Sequence, residues 1–189
     1  MRLLCFCYKK HSEKGRGGVG LKKEMEFHTV RGYQMLNAEN KVLTSSMEDY
    51  LEMIYRICLG EGYVRVNQLA ERLNVRPSST TKVVLKLKEL GLVGYQKYGI
   101  IQPTREGKVI GEFLLERHKI IEEFLKNLGI EDTRLKDTEM IEHDVSLSTL
   151  QNIYILNAFL SENLDVKERY EIFKIKFNEK PILVQLIQR

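Results

Sequence analysis

Apolar residues recur at helical spacing in several separate stretches of the chain, and each stretch is bounded by residues that start or stop helices. The first stretch covers residues 43–59, where the apolar positions fall three and four residues apart. Ser45 and Glu48 near its start have the spacing of a capping box, and Gly60 follows its end. The pattern predicts an amphipathic helix with its apolar face turned towards a core.

A second and a third helix follow, separated by a tight turn. The second is predicted over residues 66–73, and Asn74 behind it tolerates the left-handed backbone that such a turn requires. Pro77 suits the first position of the third helix, which continues to Gly91. This order of helix, turn and helix is typical of DNA-binding domains.

Two short stretches rich in β-forming residues come next, at residues 92–96 and 100–103. Lys97, Tyr98 and Gly99 between them predict a hairpin turn. With the three preceding helices, the hairpin gives a winged helix-turn-helix domain over residues 43–110.

The rest of the chain shows helical patterns only. Thr104 is predicted to cap a long helix that ends before Gly129. The fold class is therefore mainly α with a small β-hairpin wing, in which an all-helical domain, residues 111–189, follows the winged helix. The helices predicted in this part cover residues 105–128, 138–144, 149–160 and 166–177.

Charge is unevenly distributed along the chain. Residues 1–42 carry nine Lys and Arg against four Asp and Glu, and contain the run GRGGVG, so they predict a disordered basic arm. Residues 43–110 carry ten basic against seven acidic residues, and residues 111–189 carry eleven against fifteen. A basic half followed by an acidic half fits a DNA-binding part and a cation-binding part. Three cysteines give no disulfide framework, and no apolar run is long enough to span a bilayer, which predicts a cytoplasmic protein without a membrane partner.

The third helix presents a set of residues suited to DNA. Hydroxyl groups at a helix N-terminus can bind phosphates, and Arg and Lys can contact phosphates or guanines. The same residues also fit a solvated basic helix face or a protein-interaction surface. The predicted DNA-binding residues are Arg76, Ser78, Ser79, Thr80, Thr81, Lys82 and Lys86 on this helix, and Lys97 and Tyr98 at the tip of the wing.

Six acidic and imidazole side chains form a candidate metal site. Two lie three residues apart on the first helix, one lies on the long helix, and three share a helical face further on. Carboxylates and imidazoles without a thiolate favour Mn2+, Fe2+ or Zn2+. Ordinary surface acids and a packed histidine would give the same spacing. The six residues are Asp49, Glu52, His118, Glu139, Glu142 and His143.

A di-metal carboxylate enzyme is the catalytic alternative, and the spacing disfavours it. Ferritin-like sites use Glu-x-x-His, whereas His143 is four residues after Glu139 and adjacent to Glu142. Neither a zinc-protease motif nor a nucleophile elbow is present in the sequence. The chain is predicted not to be an enzyme.

Several motifs in order resemble the diphtheria-toxin-repressor family. They are SMEDYLEMIY from residue 46, LAERL from residue 69, RPSSTTK from residue 76, Arg117-His118 and Ile141-Glu142-His143. Within that family the chain is similar to the manganese transport regulators, over about residues 44–160. The basic arm and the segment from residue 161 onwards depart from the family pattern.

The resemblance implies a metal-dependent repressor that binds an operator in double-stranded DNA as a homodimer. It implies that all six candidate residues are ligands of Mn2+, with Fe2+ as the alternative ion. The iron-sensing branch has a Met in place of Asp49 and a Cys in place of Glu139, and this chain has neither. The ion would bridge the two domains and fix the two recognition helices of a dimer roughly 34 Å apart. A metal-independent winged-helix regulator that responds to a small molecule is the alternative function.

Overall fold

The structure is a computed structural model, and it describes residues 43–178. The predicted basic arm, residues 1–42, lies outside the described residues. The described part is mainly helical with three short strands, in agreement with the predicted fold class. Its elements are α1 Ser45–Glu61, β1 Val64–Arg65, α2 Val66–Arg72, α3 Pro77–Glu89, β2 Val93–Tyr95, a 3-10 turn Lys97–Gly99, β3 Ile100–Pro103, α4 Arg105–Asn127, α5 Arg134–Ile141, α6 Leu147–Glu162 and α7 Leu164–Asn178.

The N-terminus of α1 is capped one residue earlier than predicted. Thr44 has an extended backbone, and its hydroxyl accepts a hydrogen bond of 3.3 Å from the Met47 backbone N–H. Ser45 is already the first helical residue, so the predicted capping box at Ser45 and Glu48 is wrong. Glu48 is thereby left to make a tertiary contact.

The turn between α2 and α3 has the predicted local chemistry. Asn74 adopts a left-handed conformation with φ 53°, and Pro77 occupies the first turn of α3. These two positions set the entry of α3, the predicted recognition helix, into the helix-turn-helix.

The wing is part of a three-stranded antiparallel sheet in the order β1-β3-β2. Gly94 pairs with Gln102, and Val64 in β1 pairs with Ile101 on the other side of β3. The strand β1 was not predicted, because two residues are too few to show an alternating pattern. The sheet ties the connection between α1 and α2 to the base of the wing.

The long helix α4 joins the two halves of the molecule. It packs against α1 on one side and against α5 and α6 on the other. One core runs across these elements, with Leu51 of α1, Leu114 of α4 and Leu150 of α6 all buried. The predicted domain boundary between residues 110 and 111 falls inside α4, so the chain passes from one half to the other without a flexible linker.

Of the later helices, α6 and α7 contain their predicted ranges and extend beyond them by one or two residues at each end, whereas α5 begins four residues earlier than predicted. The helix predicted over residues 138–144 runs from Arg134 to Ile141, and Thr138, a polar residue, is fully buried in its middle. Among the described residues, no helix is both long and apolar enough to cross a membrane.

The first turn of α4 packs directly on the chain that leads into the wing. A Cβ atom at Gly107 would lie 1.9 Å from the Leu92 carbonyl oxygen, so Gly107→Ala must push α4 away from residue 92. We expect the free energy of unfolding to fall by about 1–3 kcal/mol, as for other overpacked sites. Gly60→Ala is the matched control, because nothing lies within 4 Å of a Cβ at that helical position. Thermal and urea unfolding measure both variants, and equal stability of Gly107→Ala and the unchanged chain would contradict the close contact.

Candidate metal centre and nucleic-acid interface

The helix α1 supplies two acidic side chains to a polar cluster inside the molecule. Asp49 and Glu52 lie three residues apart and therefore face the same way. Glu52 is buried and Asp49 is half-buried. An acidic pair on the buried side of an amphipathic helix requires partners from other elements.

Those partners come from α4 and from the end of α5. His118 of α4 is 4% exposed, and its Nδ1 lies 2.9 Å from Oε2 of Glu142. Glu142 is the residue that ends α5, where its backbone N–H still bonds to the Thr138 carbonyl. With 1% exposure it is the most deeply buried acid of the cluster. The Glu142 carboxylate thus lies close to side chains of both α1 and α4.

Two sets of three side chains bring ligand atoms within 4.8 Å of one another. One set is Asp49, Glu142 and His143, and the other is Glu52, His118 and Glu142. Glu142 belongs to both. Five of the six predicted metal ligands are therefore brought together in the structure.

The sixth predicted ligand, Glu139, lies outside both sets. It is exposed, one helical turn before Glu142 and His143 on α5. Its pKa is nevertheless raised, by partial burial and then by the negative charges of Glu142 and Asp49. The Glu139 carboxylate therefore lies at the edge of the cluster, where the negative charges of Glu142 and Asp49 still raise its pKa.

The surroundings of the cluster disfavour the charged form of several of its acids. Burial raises the pKa of Asp49, and the nearby carboxylates of Glu142 and Glu48 raise it further. The pKa of Glu52 is also raised, mainly by burial, although the guanidinium of Arg56 acts in the opposite direction. These shifts mean that the environment disfavours the charged form of both acids, which a nearby cation would offset.

The pKa of His118 is raised as well. Its hydrogen bond to Glu142 is the largest cause and favours the charged imidazolium, while burial opposes it. The raised pKa means that a proton competes with a metal ion for the imidazole of His118.

The residues fit a hard divalent ion. The donors are carboxylate oxygens and imidazole nitrogens, the set that suits Mn2+, Fe2+ or Zn2+. The Oδ1 atom of Asp49 is buried and accepts no hydrogen bond, although His143 Nε2 is 3.0 Å away. A buried carboxylate oxygen with a free lone pair is costly unless a cation uses it.

Three charged residues around the cluster were not predicted as part of it. Arg56 forms an ion pair with Glu52 one turn away on α1. Arg117 donates a 2.7 Å hydrogen bond to Glu48 Oε2, and the same oxygen is 2.9 Å from Nδ1 of His143. The spacing of Glu48 and Glu52, four residues apart, was a signal that both share one helix face, but only the fold places Arg117 beside Glu48.

The predicted DNA-binding residues of α3 mostly lie on its outer face. Arg76, Ser78, Ser79, Lys82 and Lys86 are exposed. Arg76 is the residue before the helix, and the two serines lie in its first turn. The N–H of Ser79 already bonds to the Arg76 carbonyl, so the serine hydroxyls and the Arg76 side chain are what this turn offers to an anion.

Two threonines of the predicted set are less available. Thr80 is fully buried, with its hydroxyl 3.3 Å from the Arg76 carbonyl and 3.5 Å from the Tyr50 hydroxyl. Thr81 is half-buried and donates to the Pro77 carbonyl. The helical period explains the difference, because α3 turns the Thr80 side towards α1. The expectation that Thr80 contacts DNA through its hydroxyl therefore does not agree with this structure.

The tip of the wing is the second predicted contact. Lys97 and Tyr98 are both exposed, and 89% of Tyr98 is accessible. Tyr98 has φ 64°, a conformation that is uncommon for a residue with a Cβ and that turns the chain sharply at the tip. A cationic and an aromatic side chain thus project from the same turn.

Two family models match the chain and together span the cluster. Residues 42–101 match the iron dependent repressor, N-terminal DNA binding domain, and residues 104–171 match the iron dependent repressor, metal binding and dimerisation domain. Asp49 and Glu52 fall in the first matched range, and the other four predicted ligands fall in the second. The cluster is therefore formed by residues of both matched domains.

The chain is similar over most of its length to proteins named HTH-type transcriptional regulator MntR. The protein of Lysinibacillus sphaericus strain C3-41 is 39% identical over 136 residues, which are 71% of this chain and 98% of that protein. The protein of Bacillus subtilis strain 168 is 40% identical over 121 residues, 64% of this chain and 85% of that protein.

Solved structures show the same fold. The manganese regulator SloR is 29% identical with a TM-score of 0.53, over 61% of this chain and 53% of that chain. The IdeR protein of T. acidophilum is 24% identical with a TM-score of 0.52, over 59% of this chain and 53% of that chain. The present chain thus matches about half the length of each of these two solved chains.

The raised pKa values predict that protons compete with the metal. As pH falls towards 6.5, the ordinary pKa of an imidazole, His118 and the acids with raised pKa values keep more protons, so the apparent affinity for Mn2+ must fall. We expect about a tenfold change per pH unit for each proton that must leave. Loss of the electron paramagnetic resonance signal of free Mn2+ measures binding at each pH.

The variant His118→Asn separates the contribution of the imidazole from that of the acids. It should bind Mn2+ more weakly and with a shallower dependence on pH, because one proton fewer is displaced. An affinity of the unchanged chain that does not vary with pH would contradict the competition.

Proposed function

The chain belongs to the iron-dependent repressor family, and we propose that it is a manganese-dependent DNA-binding repressor that controls genes of metal-ion homeostasis. Membership of this family confirms the predicted resemblance. The family and the matched relatives are regulators of transcription, so the chain is a regulator and not an enzyme. We place its action in the cytoplasm, where operator DNA is found.

The sharing of Glu142 between two ligand sets is the observation that carries the proposal. Glu142 comes from the dimerisation half, whereas Asp49 and Glu52 come from the helix that supports the DNA-binding half. A cation at either set would have ligands from both halves. Its binding would then be linked to their relative position, which is what a metal-responsive repressor requires.

The ligand assignment follows the two sets. We propose Asp49, Glu142 and His143 for one position and Glu52, His118 and Glu142 for the other, with Glu139 at the edge as a further ligand. When bound, a divalent ion would supply the positive charge that the buried carboxylates lack. Mn2+ suits a carboxylate-rich set, and Fe2+ is the alternative effector because it accepts the same donors.

The candidate ligands connect the charge of the bound ion to the positions of two helices. Asp49 and Glu52 restrain one face of α1, and Glu142 and His143 restrain the end of α5. Because α1 also supports α3, restraint of α1 limits the positions that the recognition helix can adopt. The fraction of molecules able to bind the operator would rise by population shift, for which about 1–3 kcal/mol of coupling is enough.

A homodimer would place two recognition helices on one face of DNA. The helices α6 and α7 leave large apolar side chains accessible, among them Phe159, Leu164 and Phe173 at 48%, 70% and 61%. Pairing of two copies through this half of the chain would bury them. Two α3 helices roughly 34 Å apart would then enter successive major grooves.

The central test is DNA binding with and without metal. Fluorescence anisotropy of labelled DNA from the upstream region of the chain's own gene should rise only when Mn2+ replaces the chelator. The variant Glu142→Gln, which keeps the size of the side chain but removes the shared carboxylate, should lose about 1–3 kcal/mol of this coupling. Its thermal stability in chelator is the folding control. Binding of the unchanged chain that is equally tight in chelator and in Mn2+ would refute the metal switch, and titration with Fe2+ tests the alternative effector.

A second test concerns the face of α3. Lys82→Ala should weaken operator binding and lower the slope of log affinity against log salt by about 1, since one phosphate contact is lost. Lys126→Ala removes the same charge from α4, where Lys126 pairs with Glu123, and should leave the slope unchanged. If both variants have the same slope as the unchanged chain, Lys82 does not contact DNA.

A further inference from the structure

Both ring nitrogens of His143 face carboxylates of successive residues of α1. Its Nε2 lies 3.0 Å from Oδ1 of Asp49, and its Nδ1 lies 2.9 Å from Oε2 of Glu48. Only the Nε2 side belongs to a set of candidate metal ligands, because Glu48 is in neither set. Metal coordination therefore does not explain why Glu48 lies beside the candidate metal centre.

Glu48 is held in place by a buried arginine. Arg117 of α4 is 6% exposed and donates a hydrogen bond of 2.7 Å to the same Oε2 atom that faces His143. The guanidinium carbon of Arg117 also lies 6.0 Å from the centre of the Phe113 ring, and this ring limits the movement of the guanidinium group. Three elements, α1, α4 and the turn after α5, thus meet at one carboxylate oxygen.

Two groups face Nδ1 of His143: Oε2 of Glu48 at 2.9 Å, which can only accept, and Nη2 of Arg117 at 3.3 Å, which can only donate. The shorter contact favours a proton on Nδ1 that is donated to Glu48. A neutral imidazole carries one proton, and the nitrogen that carries it cannot bind a metal. A hydrogen bond from Nδ1–H to Glu48 leaves the lone pair on Nε2, which is the nitrogen beside Asp49 and Glu142. Histidines that bind metals commonly donate their other N–H to a carboxylate, which fixes the tautomer and the ring orientation.

The other ligand set has no such support. The Nδ1 atom of His118 is bonded to Glu142, which is itself a candidate ligand. Removal of Glu48 should therefore affect the two metal positions unequally.

We propose that Glu48, held by Arg117, is a positioning residue that fixes the tautomer and orientation of His143, and so sets the affinity of the Asp49–Glu142–His143 position alone. The inference about affinity rests on the proposed function, whereas the inference about the tautomer concerns the metal-free chain. Because Glu48 and Asp49 are neighbours in α1, one helix orients the imidazole and also contributes a ligand beside it.

The test compares Glu48→Ala with Glu48→Gln in the full chain. The amide oxygen of Gln can still accept from Nδ1–H, so Glu48→Gln should retain the tautomer, whereas Glu48→Ala should lose it. Glu116→Ala is the matched control, since it removes an exposed carboxylate from α4 that pairs with Lys119 rather than with His143.

The first readout is nitrogen-15 NMR of the neutral imidazoles in the metal-free protein. The chain has four histidines, so a His143→Gln variant assigns the signal. We expect a single Nδ1–H tautomer in the unchanged chain, in Glu48→Gln and in Glu116→Ala, and a mixture in Glu48→Ala. A mixture in the unchanged chain, or no change in Glu48→Ala, would overturn the proposal whether or not the protein binds Mn2+.

The second readout is a titration with Mn2+ followed by electron paramagnetic resonance. Glu48→Ala should weaken one of the two positions by about 10–100-fold and leave the other unchanged. Equal weakening of both positions would contradict a role through His143. Failure of the unchanged chain to bind Mn2+ would refute the proposed function, while the tautomer result would still decide the positioning role.

Loss of Glu48 leaves the buried Arg117 without its carboxylate, so Glu48→Ala could fail to fold. The double variant Glu48→Met with Arg117→Met replaces the ion pair by two apolar side chains and removes the same acceptor. It should show the same mixture of tautomers in a folded protein, and a single Nδ1–H tautomer in it would overturn the proposal.

Discussion

The burial of Glu142 among candidate metal ligands from two other helices is the constraint on which the rest of the structure depends. A carboxylate with 1% exposure is stable only when its charge is compensated. Here the nearest compensating group is His118, at 2.9 Å. Asp49 and Glu52 add further negative charge at the same place, and burial raises the pKa of both. The helices thus surround a group of acids whose negative charge is not fully compensated. A divalent ion would supply the missing positive charge.

Two arginines compensate acids at the border of the cluster. Arg56 pairs with Glu52, and Arg117 pairs with Glu48 at the other end of the acidic face of α1. Neither guanidinium belongs to a candidate ligand set, and each satisfies one acid at the border of the cluster. The acids nearest the centre, Asp49 and Glu142, are left to the histidines. The charge deficit is therefore concentrated where the two ligand sets meet.

The sequence predicted the elements well where local rules decide them. Pro77 and Asn74 set the turn before α3, and the helical period predicted α4 almost to the residue. The six candidate ligands were also singled out from residue type and helical spacing, although Glu139 lies at the edge. A sequence pattern indicates which residues share a helix face. In the structure, five of the six candidate ligands lie close together.

What the sequence could not predict depends on contacts between distant elements. Thr80 belongs to a run of hydroxyl residues that suggests a DNA contact, yet the fold turns it towards Tyr50. Glu48 fitted a local capping box, but the cap belongs to Thr44, and Glu48 instead reaches Arg117, 69 residues away. In both cases a short-range rule allowed two outcomes, and packing against another helix selected one of them.

Three consecutive residues of α1 lie between the candidate metal centre and α3, the predicted recognition helix. Glu48 and Asp49 contact the two nitrogens of His143, and Tyr50, next in the chain, reaches Thr80 of α3 with its hydroxyl at 3.5 Å. Successive residues of a helix point about 100° apart, so these side chains reach different partners from a single turn. A rotation of α1 that improved the contacts of Asp49 would therefore also move Tyr50 against α3. The buried contact between Tyr50 and Thr80 would carry such a rotation from α1 to α3.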